Sequence, residues 1–154
     1  MDTKKSNKMK KLIVGLFSTL LLFSCSTKKV NNDQIDVAKV ESDTNMKLFI
    51  DNSEINVTWF DNPSVKALEK LVPLTINMHE YGGFEQTGSI GQSIVRIDSQ
   101  ISTNPGDIVL YSGNQISIFY NSSSWSYTRL GYINLSNSEI NTLLNKSSVV
   151  FELK

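Results

Sequence analysis

The chain has 154 residues, of which 40% are hydrophobic and 19% are charged, a composition typical of one globular domain rather than of a disordered chain. Of its 15 basic and 15 acidic residues, five lysines and one aspartate lie within residues 1–24, which leaves 10 basic against 14 acidic residues, a net charge of −4. This acidic remainder argues against a nucleic-acid partner. A single cysteine excludes an internal disulfide, and a single histidine argues against a zinc site. The sequence lacks a glycine-rich phosphate loop, and we expect no bound cofactor.

The first 24 residues have the pattern of an export signal. Five lysines between residues 4 and 11 precede an apolar run over residues 12–23, which is too short to span a bilayer comfortably. The run ends in Leu22-Phe23-Ser24-Cys25, which resembles the lipobox of bacterial lipoproteins. The resemblance implies cleavage after Ser24, lipidation of Cys25 and a lipid-anchored protein of the bacterial cell envelope whose folded part faces outside the cytoplasm. An uncleaved helix with an incidental cysteine is the alternative.

Residues 25–45, which begin with the lipidated cysteine, are predicted to form a flexible tether. They hold few large apolar residues, have mixed charges and lack proline and glycine. A short amphipathic helix through Ile35, Val37 and Val40 is the alternative, but that spacing is too sparse to define a buried face. A polar chain of roughly 20 residues would hold a folded domain a few tens of ångströms from the lipid surface.

Residues 46–154 are predicted to form one folded domain of antiparallel strands. Short runs of β-branched and aromatic residues alternate there with clusters of Asn, Asp, Gly and Ser. Residues 46–50 and 55–59 flank Asp51-Asn52-Ser53-Glu54, and this pattern predicts a hairpin that places Ile55, Val57 and Trp59 on one side. Further strands are predicted over residues 74–78, 107–111, 115–120, 125–130 and 149–153.

Two short helices are predicted among these strands. Asn62 followed by Pro63 is typical of a helix start, because an Asx side chain accepts free amide hydrogens and proline needs no partner at the first helical position. The apolar stripe Val65, Leu68, Leu71 and Val72 would follow, and Pro73 would end the helix. Residues 136–139 match a capping box, so Ile140, Leu143 and Leu144 are predicted to line a second helix. Many strands with two helices favour a small closed antiparallel barrel, since closure removes exposed edges.

Six segments combine turn residues with apolar residues in a recognisable order. They are Asp61-Asn-Pro63, Leu71-Val-Pro-Leu74, Tyr81-Gly-Gly-Phe-Glu85, Pro105-Gly-Asp-Ile-Val-Leu-Tyr111, Ile118-Phe-Tyr120 and Tyr127-Thr-Arg-Leu-Gly131. Together they resemble the bacterial cyclophilin-like domain family over residues 46–154. The resemblance implies a mainly β fold, a compact barrel similar to that of the cyclophilin prolyl isomerases, but it does not imply their activity.

Prolyl isomerase activity can be weighed from its chemistry. Rotation about an X-Pro bond faces a barrier of about 18 to 20 kcal/mol, which cyclophilins lower with an arginine that donates to the prolyl nitrogen. In that family the arginine lies on the strand after the first helix, whereas residues 74–81 here contain His79 and Glu80 but no arginine. Only folding could bring Arg96 or Arg129 to an equivalent place.

The sequence therefore predicts that the protein is a noncatalytic binding module for a peptide segment or a small metabolite. Prolyl isomerisation is one alternative, and a purely structural or partner-docking role in the envelope is another. His79-Glu80 lacks the second histidine of a zinc protease, and Ser89 does not stand in a nucleophile elbow, so neither hydrolase class fits.

Arg129 is the most informative candidate for ligand binding. An arginine between aromatic and apolar residues on a strand is costly to bury unpaired, so we expect it to meet a carboxylate, with Glu85 as the predicted partner, or an acidic ligand. A bridge between Arg129 and Glu85 that merely ties two strands is the competing interpretation, and Asp107 is expected to serve the turn after Pro105-Gly106. The full set of candidate ligand-binding residues is Arg129, Tyr127, Glu85, Phe84, Tyr120, Trp125 and Arg96.

Overall fold

The structure, a computed structural model, describes residues 41–154. The predicted signal peptide, the predicted lipidation site at Cys25 and the predicted tether up to residue 40 lie outside these residues. The helices are α1 (Pro63–Glu69) and α2 (Asn137–Leu144). The strands are β1 (Leu48–Ile50), β2 (Ser53–Ile55), β3 (Val57–Trp59), β4 (Leu74–Tyr81), β5 (Glu85–Ser89), β6 (Ser99–Ser102), β7 (Asp107–Tyr111), β8 (Gln115–Phe119), β9 (Ser124–Ile133) and β10 (Ser148–Leu153).

Nine of the strands form one antiparallel path that nearly closes on itself. Their order is β2-β1-β10-β4-β5-β8-β7-β9-β3, and β6 pairs with β9 outside this path. The two ends of the path, β2 and β3, lie close to each other. The indole nitrogen of Trp59 in β3 donates to the carbonyl of Met46, just before β1, at 3.0 Å. The predicted mainly β, barrel-like fold with two short helices is therefore confirmed.

The interior of the barrel is filled by alternate residues of the strands. On β7 and β8 the residues that face inward are Ile108, Leu110, Ile116 and Ile118, all fully buried. The helices contribute Val65 and Leu68 from α1 and Ile140 and Leu144 from α2 to the same core. A second, smaller cluster of Val109, Phe119 and Tyr127 lies on the outer face of the sheet, packed against Phe84 and Ile101. The sheet is thus covered on both faces at this point.

Both predicted helix starts are confirmed. The Asn62 side chain accepts hydrogen bonds from the backbone of Ser64 and Val65, each at 3.0 Å, and Ser136 begins α2 with a complete capping box. The predicted end of α1 is wrong, because the helix stops at Glu69 and Leu71 and Val72 lie beyond it, so that Pro73 is not what ends it. Neither helix within residues 41–154 is long and apolar enough to cross a membrane.

The predicted hairpin of residues 46–50 with residues 55–59 is wrong in its pairing. β1 pairs with β2, and the turn between them is Asp51-Asn52 alone, with both residues at positive φ. This two-residue turn matches the twist of the strands and leaves only three residues for pairing on each side. After Asn56 the chain changes partner, and β3 pairs with β9 at the other end of the barrel path.

The segment before the barrel is held against it from Glu41 onward. Glu41 forms a bridge with Phe60, and the backbone of Ser42 donates to the Trp59 carbonyl at 2.8 Å. The Thr44 hydroxyl donates to the Glu69 carboxylate in α1 at 2.6 Å. Within the described residues, Glu41, Ser42 and Thr44 therefore also contact the barrel and α1.

Candidate functional site

The candidate site lies on the outer face of the barrel, where β4, β5, β7, β8 and β9 follow one another in the sheet. On β5, Gln86 points inward and donates to the carbonyl of Leu144 at the end of α2, at 2.8 Å. Gly88 also faces inward, where an added Cβ would overlap Ile76. Because side chains alternate along a strand, Glu85 and Thr87 face outward.

A cavity of about 580 Å³ opens on this face. Four of the seven candidate residues line it, namely Phe84, Glu85, Trp125 and Tyr127. The other lining residues are His79, Tyr81, Thr87, Gly88, Ser89, Tyr111, Gln115, Ser123 and Ser124. The volume falls within the range of pockets that hold small molecules or a few side chains of a peptide.

Five aromatic rings form the walls of the cavity. Tyr81 and Phe84 meet edge to face at 6.1 Å between ring centroids, and Tyr111 and Tyr127 do so at 5.9 Å. Trp125 projects from the start of β9 and is 59% exposed, as is Tyr81. Four of the rings are therefore held in pairs, while Tyr81 and Trp125 remain accessible to a ligand.

Phe119 lies below these rings and supports them. It stacks in parallel on Phe84 with centroids 6.2 Å apart and meets Tyr127 edge to face at 5.6 Å. Phe119 is fully buried and does not itself line the cavity.

Glu85 is the one carboxylate among the lining residues, and it is only 7% exposed. Its Oε2 atom is buried and has no hydrogen-bond partner among the described residues. Burial raises the pKa of Glu85 to about 7, and the nearby Ser117 hydroxyl opposes this shift more weakly. Removal from water disfavours the charged form of a carboxyl group, which accounts for the direction of the change.

The predicted pairing of Arg129 with Glu85 is wrong. The Arg129 guanidinium donates to Asp107 Oδ2 at 3.1 Å and to the carbonyl of Ser102 at 2.9 Å. Asp107 lies on β7, directly beside β9, whereas β7 and β8 separate β9 from Glu85 on β5. Three strand spacings amount to roughly 14 Å, too far for the two side chains to form an ion pair. Asp107 also accepts from the backbone of Asn104 at 3.0 Å, which is the turn role expected of it.

Three of the candidate residues lie away from the cavity. Arg129 borders a separate shallow depression with Asp107 and Tyr132. Tyr120 is buried, and its hydroxyl donates to Glu80 at 3.3 Å. Arg96 forms an exposed ion pair with Asp98 at 3.4 Å. Folding therefore brings neither of the two arginines to the lining of the cavity.

Two aromatic residues that line the cavity, Tyr81 and Tyr111, are not among the candidates predicted from the sequence. Tyr81 and Tyr111 each end a strand beside a glycine-containing turn. Alternation places Tyr111 on the opposite face from buried Leu110, and the same pattern separates Tyr81 from the buried side of β4. An exposed tyrosine at such a position is the signal that could have found them.

Neither the ligand types nor their grouping favours a metal in this cavity. Within residues 41–154, no group of three or more His, Cys, Asp and Glu side chains is placed to hold a metal ion. His79 and Glu85 line the cavity together, but neighbouring neutral side chains complete it. The side chains available are a single buried carboxylate, the imidazole of His79, aromatic rings, hydroxyls and an amide.

The comparison with known protein families agrees with this architecture. A model of the cyclophilin-like family matches residues 48–154, which span the described barrel from β1 to β10. No curated protein matches the chain. Since the family match covers more than half of the chain and the fold is a nearly closed antiparallel barrel with two helices, the chain belongs to the cyclophilin-like family.

Proposed function

We propose that this protein is a lipid-anchored, noncatalytic binding module whose outer-face cavity holds a peptide segment or a small metabolite. The observation that carries the proposal is the cavity itself, with aromatic walls, a buried carboxylate and no arginine in its lining. A concave surface with apolar walls and a few polar groups is the usual form of a ligand site. It supports binding over a purely structural role.

The lining chemistry supports binding without isomerisation. The barrier to X-Pro rotation comes from amide resonance, and a donor held at the prolyl nitrogen lowers it. In the cyclophilin prolyl isomerases an arginine supplies this donor, whereas Arg96 and Arg129 are both held in ion pairs away from the cavity. Prolyl isomerase activity is therefore the second candidate and an outcome of the test below.

Binding is tested with the fluorescence of Trp125. Of the two tryptophans, Trp125 is exposed at the cavity and Trp59 is buried in the core, so a ligand in the cavity changes the environment of Trp125 alone. We expect saturable fluorescence change when the full chain is titrated with acetyl-Ala-Ala-Pro-Phe-amide, and loss of that change in Trp125→Phe.

The same peptide measures catalysis. We expect its cis–trans exchange to proceed at the spontaneous rate in the presence of the full chain, because no arginine lines the cavity. Exchange accelerated by the wild-type chain would overturn the noncatalytic assignment, and the Arg96→Ala and Arg129→Ala variants would then show whether either arginine takes part.

The membrane anchor rests on the sequence of the first 25 residues. Lysines, a short apolar run and the lipobox-like Leu22-Phe23-Ser24-Cys25 support export and acylation at Cys25. Two or more acyl chains bind a membrane stably, since each buried methylene contributes about 0.8 kcal/mol. In a bacterial host, the wild-type chain should fractionate with membranes and incorporate labelled palmitate. Cys25→Ser should lose the label, and a labelled Cys25→Ser chain contradicts the anchor.

A further inference from the structure

Glu85 is an unusual lining residue for a ligand cavity, because its carboxyl group is buried and one of its oxygens lacks a hydrogen-bond partner. The residue is 7% exposed, and its Oε2 atom has no hydrogen-bond partner within the described part of the chain. A buried polar atom without a partner costs free energy that a suitable donor would recover. Because Glu85 also lines the cavity, a ligand held there can present a hydrogen-bond donor to this carboxyl group.

The charges around the cavity favour a donor that is positively charged. Glu85 is the one carboxylate in the lining, and no lysine or arginine accompanies it. Arg129, the nearest predicted counter-ion, is held by Asp107 at 3.1 Å instead. A cationic donor at this carboxylate would neutralise its charge, and such charge-assisted hydrogen bonds are about twice as strong as neutral ones.

The walls of the cavity suit a cation on an apolar stem. Tyr81 is the cross-strand neighbour of Glu85, Phe84 precedes Glu85 in the chain, and Tyr111, Trp125 and Tyr127 line the same cavity. Aromatic rings attract ammonium groups and at the same time pack against methylene groups. One unpaired oxygen matches the single point charge of an ammonium better than the two-pronged guanidinium.

We propose that the cavity recognises a primary ammonium group on an alkyl stem, with Glu85 as its counter-ion. This assignment rests on the proposed binding function and adds the chemical class of the ligand. The same group is carried by a free alkylamine and by the lysine side chain of a peptide, so the probes below include one of each.

The test compares three small probes of similar shape and different charge. The full chain is titrated at about pH 8, where a carboxyl with a pKa near 7 is mostly ionised, with n-butylammonium, 1-butanol and butyrate. Calorimetry and Trp125 fluorescence report binding. We expect n-butylammonium to bind at least about tenfold more tightly than 1-butanol, and butyrate to bind more weakly than either.

Two matched variants assign the preference to one carboxylate. Glu85→Gln keeps the shape of the side chain and removes its charge, so n-butylammonium should then bind no better than 1-butanol. Glu54→Gln removes an exposed carboxylate on β2, outside the cavity, and should leave the preference unchanged. The peptide acetyl-Gly-Lys-Gly-amide tests the second source, and tighter binding of this peptide than of n-butylammonium assigns the site to lysine side chains.

The outcomes separate this assignment from the proposed function. Equal binding of n-butylammonium and 1-butanol to the wild-type chain, or tighter binding of butyrate, overturns the ammonium assignment while the cavity remains a ligand site. A preference for n-butylammonium that persists in Glu85→Gln overturns the role of Glu85. The comparison of the three probes on the wild-type chain needs no variant and holds even where a substitution impairs folding.

Discussion

Glu85 and Arg129 both lie on the outer face of the barrel, but their surroundings differ. Arg129 has Asp107 on the neighbouring strand and a carbonyl within hydrogen-bond distance. Glu85 has aromatic rings and hydroxyls around it, and one of its oxygens lacks a partner among the described residues. The charge of Arg129 is offset by a partner, whereas an unpaired buried charge costs stability.

The unpaired charge of Glu85 predicts a pH-dependent cost in stability. Burial raises its pKa in the folded chain from the usual 4.5 to about 7, so the folded state holds this proton more tightly than the unfolded state. The resulting stabilisation is complete below about pH 4.5 and is lost as the pH rises through 7. We expect Glu85→Gln to exceed the wild-type chain in free energy of unfolding by about 1 to 3 kcal/mol at pH 8 and by almost nothing at pH 4.5.

Urea unfolding at the two pH values measures this difference. Glu54→Gln, which alters an exposed glutamate paired with Lys47, is the control and should show no gain on going from pH 4.5 to pH 8. A Glu85→Gln chain that gains the same free energy at both pH values, or loses it at pH 8, contradicts the buried-charge account.

The two helices begin with the same kind of hydrogen bond in different surroundings. Asn62 is 2% exposed, accepts from two backbone amides of α1, and donates through its side-chain nitrogen to the Arg129 carbonyl on β9 at 2.9 Å. Ser136 caps α2 at the surface and interacts with Glu139 of its own helix. The cap of α1 therefore also fastens the helix to the barrel, while the cap of α2 acts locally.

This difference predicts unequal costs for removing the two caps. Asn62→Ala deletes the cap and leaves buried amides and the Arg129 carbonyl without partners, so we expect it to lower the free energy of unfolding by about 2 to 4 kcal/mol. Ser136→Ala should cost about 1 kcal/mol or less, because water can replace the exposed bonds. Chemical denaturation of both variants checks the order, and equal costs would show that the bond to Arg129 contributes nothing.

The sequence predicts where the helices begin, but it does not predict which strands pair with each other. Asn62-Pro63 and the Ser136 capping box gave both helix starts, since these bonds involve residues at most three apart. The strand partner of residues 57–59 was mispredicted, because β3 pairs with β9, more than 70 residues later. Pairing at that distance depends on how the whole sheet closes, which alternation within one segment does not encode.

Closure of the barrel also decided which candidate residues came together. At Gly131 of β9 an added Cβ would overlap the Thr58 carbonyl of β3, so the missing side chain allows the last strand to pair closely. Four candidate residues line one cavity on the outer face, while Arg129 pairs with Asp107 because β7 is the neighbour of β9 in the sheet. The aromatic and acidic composition of the site was visible in the sequence, but its pairing required the sheet order.

The most direct test of this account locates the ligand on the molecule. Amide NMR spectra of the isotope-labelled full chain are recorded while n-butylammonium or acetyl-Ala-Ala-Pro-Phe-amide is added. We expect the shifted resonances to belong to the cavity lining, above all to Phe84, Glu85, Trp125 and Tyr127. Shifts that instead cluster around Arg129 and Asp107 would contradict it, because they would place the binding site in the separate depression between β7 and β9.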